Sequence, residues 1–222
     1  MLNDFVDRCV WAADLSPEQR ERVRRAMCVH EYSQGDYVCH KGDRAEHWMG
    51  VLEGIVKITT VSPSGKSVTF TGVPTGGWFG EGAVLKSEIR KYDVMALRRS
   101  TIAFLPLETF QWLLDTSLPF TRFLLTQLNE RLGQFIAAVE YERSLDIDSR
   151  VARAVSSLFN EHLYPGIGKT LEISQEEIGL LAGISRQRAN QALKVLEQQK
   201  LVRVDYGVIE VLDLDGLRQY GE

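Results

Sequence analysis

The stretch Ile173-Ser174-Gln175-Glu176-Glu177-Ile178-Gly179-Leu180-Leu181-Ala182-Gly183-Ile184-Ser185-Arg186-Gln187-Arg188-Ala189-Asn190-Gln191-Ala192-Leu193-Lys194 contains two helix starts and one helix stop. Ser174 followed three residues later by Glu177 is a capping box, in which hydroxyl and carboxylate satisfy each other's backbone amides. The helix it opens turns Ile178, Leu181 and Ala182 inward, and Gly183 ends it. Ser185 caps a second helix whose buried side is Ala189, Ala192, Leu193 and Leu196. Arg186, Gln187, Arg188, Asn190, Gln191 and Lys194 are left pointing outward. Helix, glycine turn and capped second helix make a helix-turn-helix.

The outward residues match base chemistry. Arginine spans guanine O6 and N7, glutamine and asparagine span adenine N6 and N7, and these types crowd the turns that enter a major groove. Leu201 to Val211 then alternates around Tyr206-Gly207, which predicts a two-stranded wing. Ser174 and Gln175 at the start of the first helix are further candidate DNA-binding residues.

Charge tests that reading. The 222-residue chain has a formal net charge of −4, so any nucleic-acid site has to be local. From Ser185 to Arg203 five basic residues (Arg186, Arg188, Lys194, Lys200, Arg203) face one acid, Glu197, while from Leu171 onward six basic residues face nine acids. The positive strip is narrow and sits on one helix and the wing.

Upstream, Asp146-Ile147-Asp148 reads as a hinge followed by a helix from Ser149 to about His162. Before it, Pro119 opens a long helix with Leu124, Leu128, Leu132, Phe135 and Val139 spaced four, four, three and four apart, a stripe suited to pairing with a second copy. A shorter helix is expected over Glu108 to Asp115. From Tyr32 to Leu105 the texture is different, because ten of the 18 glycines lie between Gly35 and Gly82. Gly54–Val61, Ser67–Thr71 and Tyr92–Leu97 are β-branched and aromatic, with Pro63-Ser64-Gly65-Lys66 as a turn, and together they predict a double-sheet β-roll. At the amino end, Ser16 and Pro17 start a helix marked by Leu15, Val23 and Met27.

The fold expected is therefore α+β: residues 1–118 a β-roll, 119–145 a long dimerisation helix, and 146–222 a winged helix-turn-helix. Hydrophobic residues at 44% and charged residues at 25% are ordinary for a globular chain, which argues against disorder or a collagen-like repeat. Neither a signal peptide nor a membrane-spanning segment is expected, and Cys9, Cys28 and Cys39 are too few and too scattered for a disulfide framework or a zinc site, which points to the cytoplasm.

This order of parts resembles the cyclic-AMP receptor protein and fumarate-nitrate regulator (Crp/Fnr) family of bacterial transcription factors. The motifs are Gly35-Asp36, Gly42-Asp43, Gly54-Ile55-Val56-Lys57, Gly77-Trp78-Phe79-Gly80-Glu81, Arg90 nine residues after Glu81, Ile173 to Ile178, and Ser185-Arg186. The resemblance implies a homodimer paired along the long helix, a sensing roll, and binding of double-stranded promoter DNA with RNA polymerase as a further partner. It also implies that Arg186 reads a guanine in each half-site, with Ser185 and the wing on phosphates. Gln187 stands where an acid that reads cytosine is usual, and Gln191 where some members carry another arginine, so the half-site sequence stays open.

In the sensor, Gly80, Glu81, Gly82 and Ala83 look like the start of the family's phosphate-binding cassette, and Arg90 matches its phosphate-neutralising arginine. Lys91 replaces the usual serine donor, and Tyr92 follows where a small residue is usual. Counting back from Leu145, the polar pair that reads adenine falls at Phe135 and Ile136, which offer no hydrogen bonds. Cyclic AMP is thus disfavoured. Glu81 and Arg90 paired with each other, leaving a cavity for another nucleotide, haem or no ligand, is the competing reading. The three cysteines do not supply an iron–sulfur cluster, and His30, His40 and His47 are weak haem ligands. A cupin-like metal enzyme needs two histidines one residue apart, which His40-Lys41-Gly42 and His47-Trp48-Met49 lack, so no metal site and no catalytic residue is assigned. An effector-binding adaptor without specific DNA binding is the remaining alternative. The expected mechanism is a population shift in which an effector repositions the long helix near Phe135 and Ile136 and resets two recognition helices about one DNA turn apart.

Overall fold

The computed structural model describes residues 5–7, 9–61, 67–142, 146–165 and 167–221. The expected turn at Pro63–Lys66 and the side chain of Val139 lie outside the described residues.

Helix α1 (Pro17–Ala26) opens as its sequence dictates: Ser16 accepts from Gln19 N, Gln19 returns the bond to Ser16 N, and Pro17 holds the first position. Strands β1 (Cys28–Tyr32), β2 (Tyr37–Cys39), β3 (His47–Glu53), β4 (Ile55–Val61), β5 (Ser67–Pro74) and β6 (Trp78–Phe79) follow. After the short helix α2 (Glu81–Leu85) come β7 (Asp93–Ala96) and β8 (Ser100–Pro106). They form two four-stranded antiparallel sheets, ordered β1-β8-β3-β6 and β2-β7-β4-β5, which face each other as a roll. Val51, Val56, Ile58, Val73, Phe79, Val94 and Ile102 fill the space between them.

Outside the first sheet, Trp11, Trp48, Trp78, Phe110 and Phe120 form an aromatic box, with the Trp48 and Trp78 rings 4.2 Å apart. Phe110 comes from α3 (Leu107–Thr116) and Phe120 from the long helix α4 (Leu118–Glu142), so the box fixes the start of the long helix to the roll.

The buried face of the long helix differs from the predicted stripe. Phe120, Leu124, Gln127 and Arg131 face the chain's own interior. Leu124 therefore belongs to the protomer core rather than to an interface between copies, and Leu128 is half-buried. The apolar residues left in solvent are Leu118, Leu125, Leu132 and Ile136. The reason is the aromatic box: it draws Phe120 and Leu124 inward, so that Leu132 of the predicted stripe stays exposed but is flanked by Leu125 and Ile136 rather than by Leu124 and Phe135.

Helix α5 runs over Ile147–Ser157, with Asp146 accepting from Ser149 N as its cap. The expected helix from Ser149 to His162 thus starts earlier and stops sooner. Leu158 and Phe159 turn back, and the Asn160 side chain accepts from His162 N and Leu163 N, which satisfies those amides outside a helix.

The C-terminal part comprises β9 (Thr170–Glu172), α6 (Gln175–Ala182), α7 (Arg186–Gln198), β10 (Val202–Asp205), β11 (Val208–Val211) and α8 (Leu214–Gln219). Its sheet has three strands, ordered β10-β11-β9, because β9 adds to the expected two-stranded wing. This part is not separate from the roll. Ile55 and Leu97 of the roll share the core of Val151, Val155, Leu158, Ile178 and Leu193. Tyr164 is fully buried and its hydroxyl donates to Gly72 O at 2.9 Å. Gly72 leaves room for the leucines packed over it: a Cβ there would stand 2.8 Å from Leu158 Cδ2, so that side chain would have to shift.

Candidate functional site

The helix-turn-helix is built by its own local chemistry. Ser174 Oγ accepts from Glu177 N at 3.2 Å, and Glu177 Oε2 accepts from Ser174 N at 2.6 Å, which makes the predicted capping box. Gly183 stops α6 at φ +66°, and a Cβ on Gly179 would stand 2.9 Å from Ile184 O, so the turn folds tightly over α6. Ser185 Oγ then accepts from Arg188 N. Ala189, Ala192, Leu193 and Leu196 anchor α7 in the core, as expected.

The other side of α7 is free. Arg186, Gln187, Arg188, Gln191 and Lys194 are exposed and Asn190 is half-buried, while Ser185 is exposed beside them. Ser174 and Gln175 are half-buried at the start of α6. The α7 face presents one strip of donors and acceptors, with the helix N-terminus and its free amides at one end. Beside it, Tyr206-Gly207 turns the hairpin at φ +73° on Gly207, and Tyr206 is fully exposed at its tip. Arg203 is held by Glu210 at 2.6 Å across the strands, which takes it out of the local basic excess.

The region expected to form a sensor pocket departs further from expectation. Gly80 at φ +89° leads into Glu81, the first residue of α2 and 4% exposed. Glu81 does not take Arg90 as its partner. Arg131 of the long helix donates from Nε to Glu81 Oε1 at 2.9 Å and from Nη2 to Trp78 O at 2.8 Å. Arg90 is buried as well, but it donates to His47 O at 2.8 Å, and its Nη1 would be 2.8 Å from a Cβ on Gly80. Burial works against the Arg131 charge, yet Glu81 outweighs it and keeps the guanidinium firmly protonated. Tyr92 is half-buried beside these groups, and desolvation of its hydroxyl together with the Glu81 charge raises it well above the ordinary tyrosine value. Glu81 Oε2, Arg90 Nη1 and Arg131 Nη1 are buried with no partner among the described residues.

Several residues expected in this pocket sit elsewhere. Lys91 is exposed and pairs with Glu88 at 3.1 Å. Ala83 packs toward the aromatic box, and nothing lies within 4 Å of a Cβ on Gly82. Phe135 meets Phe70 edge-on at 6.4 Å, and Ile136 points to solvent. Arg131, one turn before Phe135, is the residue the long helix actually delivers. The signal for it was a charged residue in register with Phe120 and Leu124, at i+11 and i+7, on the core side of an otherwise apolar helix.

His30 and His47 flank the Phe104 ring, and His40 lies against Tyr37. Partial burial lowers the His47 pKa and favours its neutral form. Cys39 is buried, and burial pushes its thiol up to about 11. Among the described residues, no group of three or more histidine, cysteine, aspartate or glutamate side chains is placed to hold a metal ion. No described helix is long and apolar enough to cross a membrane.

Residues 29–117 match the family model of the cyclic nucleotide-binding domain, and residues 149–220 match that of the Crp-like helix-turn-helix domain. The chain is 27% identical over 177 residues to the cAMP-activated global transcriptional regulator CRP of Pasteurella multocida, covering 78% of this chain and 85% of that one. It is 25% identical over 217 residues to the HTH-type transcriptional regulator Cmr of Mycobacterium tuberculosis, covering 96% and 86%. In fold it is similar to FixK2 from Bradyrhizobium japonicum, with a TM-score of 0.69 at 15% identity over 86% of this chain and 96% of that one. Roll, long helix and winged helix-turn-helix in this order, with a match to both domain models, place the chain in the Crp/Fnr family of DNA-binding transcription regulators.

Proposed function

We propose that the protein is a homodimer that reads a palindromic site in double-stranded promoter DNA through its paired α7 helices, with the roll controlling their placement. The observation that carries this reading is the outward strip of Arg186, Gln187, Arg188, Gln191 and Lys194 on a helix whose other side is locked in the core. An adaptor would have no need of such a face. In this reading residues 1–118 sense, 119–145 couple and pair, and 146–222 bind DNA, acting in the cytoplasm and alongside RNA polymerase. It is a binding protein, not an enzyme.

Pairing is supported by Leu118, Leu125 and Leu132, which are exposed at seven-residue intervals with Ile136 beside them. Ser185 and the wing tip at Tyr206 flank the reading face where phosphates run. The relative from Pasteurella multocida is described as activated by cyclic AMP; in this chain Arg131 donates to Glu81 and Phe135 and Ile136 offer no hydrogen bonds, so the controlling ligand is left unassigned.

The test is a selection of binding sites from random duplexes followed by gel-shift titration. Arg186→Ala is expected to weaken specific binding by about 1–3 kcal/mol and to relax preference at one base position per half-site. Wild-type protein that binds selected and scrambled duplexes equally well overturns the reading.

A further inference from the structure

Between β7 and β8 the roll bends at residues 97–99 and carries Leu97 into the core of the C-terminal part. The bend is stiff. Leu97 N donates to Ile55 O at 2.9 Å, Ser100 Oγ donates to Arg98 O at 2.9 Å, and a Cβ on Gly54 would stand 2.7 Å from Arg99 O, so the backbone lies flat against the start of β4. Arg98 leaves this bend and meets two acids of the C-terminal part. Its fork to Glu177 of α6, at 2.8 and 2.7 Å, is the main contact; Glu172 at the end of β9 is exposed and stands 3.6 Å away.

Apolar packing of Ile55 and Leu97 holds the two parts together without direction, whereas a planar guanidinium bonded through two nitrogens to one carboxylate fixes an angle as well as a distance. Glu177 is itself tied to the start of α6 by the capping box, so that angle passes to the helix. From α6 it passes to α7, because Gly179 lets the turn close at Ile184, and Ile178, Ala189 and Leu193 share one core. The strip of Arg186, Gln187, Arg188, Gln191 and Lys194 is exposed in this arrangement. In a dimer, two such strips must match half-sites separated by one helical turn, about 34 Å. We propose that Arg98 is a positioning residue for DNA recognition: through Glu177 it sets the angle at which the roll presents the helix-turn-helix, and so the separation of the two reading helices, a role that rests on DNA binding through α7. Arg98 itself touches no DNA in this role.

Two single substitutions break the fork and spare the reading face. Arg98→Ala removes the guanidinium, and Glu177→Gln removes the charge while leaving an amide oxygen able to complete the capping box, so it serves should the alanine variant fail to fold. Full-length wild type, both variants and the double variant are titrated with the selected site, the same site with its spacer lengthened or shortened by one base pair, and a single half-site. Wild type is expected to prefer the selected spacing by about tenfold or more, and each single variant to keep half-site affinity within about twofold while losing most of that preference. The double variant is expected to lose no more than either single one, because both act through one bond. Equal losses on full and half sites, the mark of a merely weakened fold, overturn the proposal, as does an intact spacing preference in a folded variant. Without DNA, electron-spin resonance reads the distance between labels at exposed Glu53 of the roll and exposed Gln198 of α7, in a Cys28→Ser background with labelled chains diluted into unlabelled ones. The distance distribution is expected to broaden in both single variants, and an unchanged one overturns positioning by Arg98. Broadened variants beside a wild type that binds no duplex selectively would sink the regulator reading and leave the clamp on α6 standing.

Discussion

Glu177 shows how one residue can serve local and long-range structure together. Its carboxylate caps α6 through Ser174 N, and it also receives a fork from Arg98 of the roll, at 2.8 and 2.7 Å. Burial alone would raise its pKa, but the bonds from Arg98 and Ser174 outweigh burial and hold it below the ordinary glutamate value. A lowered folded-state pKa means that this stabilisation is fully present above the unfolded value and is lost as pH falls through the folded one. Resistance of the wild type to urea is therefore expected to weaken as pH drops below about 4.3. Arg98→Ala is expected to cost about 2 kcal/mol at neutral pH, because it leaves a buried carboxylate without its cation. That variant should also lose less on acidification; an equal acid-side loss in both proteins would remove Glu177 from the account. The capping role of Glu177 was readable from its spacing to Ser174. Its second role was not, because Arg98 is 79 residues away along the chain.

At the scale of elements, the long helix carries the sharpest difference between pattern and structure. Leucines at four- and three-residue spacing mark a stripe, but a helix with apolar residues on two sides has two stripes, and only packing decides which one is spent inside. Phe120 and Leu124 go into the aromatic box, which leaves Leu125 and Leu132 outside. Leu125→Ser with Leu132→Ser is therefore expected to convert the proposed dimer to monomer in sedimentation analysis. Half-site binding should then replace full-site binding, with a fall in affinity of a hundredfold or more, on the order of the gain from linking two sites. A double variant that stays dimeric would place the pairing surface elsewhere. The recognition helix, by contrast, was legible almost residue by residue, since its caps, its glycine stop and its alternation of small apolar and polar side chains are all local signals.

For the whole molecule, an acidic chain with a small basic strip predicts how binding responds to salt. The net charge of −4 disfavours contact with arbitrary duplex, while Arg186, Arg188 and Lys194 remain free to meet DNA. Specific affinity is expected to fall steeply with salt, and Arg188→Ala to reduce the slope of log affinity against log salt by about 1 for each phosphate that Arg188 neutralises. An unchanged slope would take Arg188 off the phosphate backbone. Arg203 is expected to contribute little to that slope, because Glu210 already neutralises it.

The order of parts, the caps, the two helices of the reading motif and the alternating strands followed from sequence alone, because each depends on residues within about one or two turns of one another. Tertiary structure alone decided which face of the long helix is buried, that Arg98 joins the roll to Glu177, and that Arg131 rather than Arg90 pairs with Glu81. The reason is physical: a buried charge must find an opposite charge wherever the fold brings one within reach, and that distance is set by packing across the whole chain rather than by spacing along it.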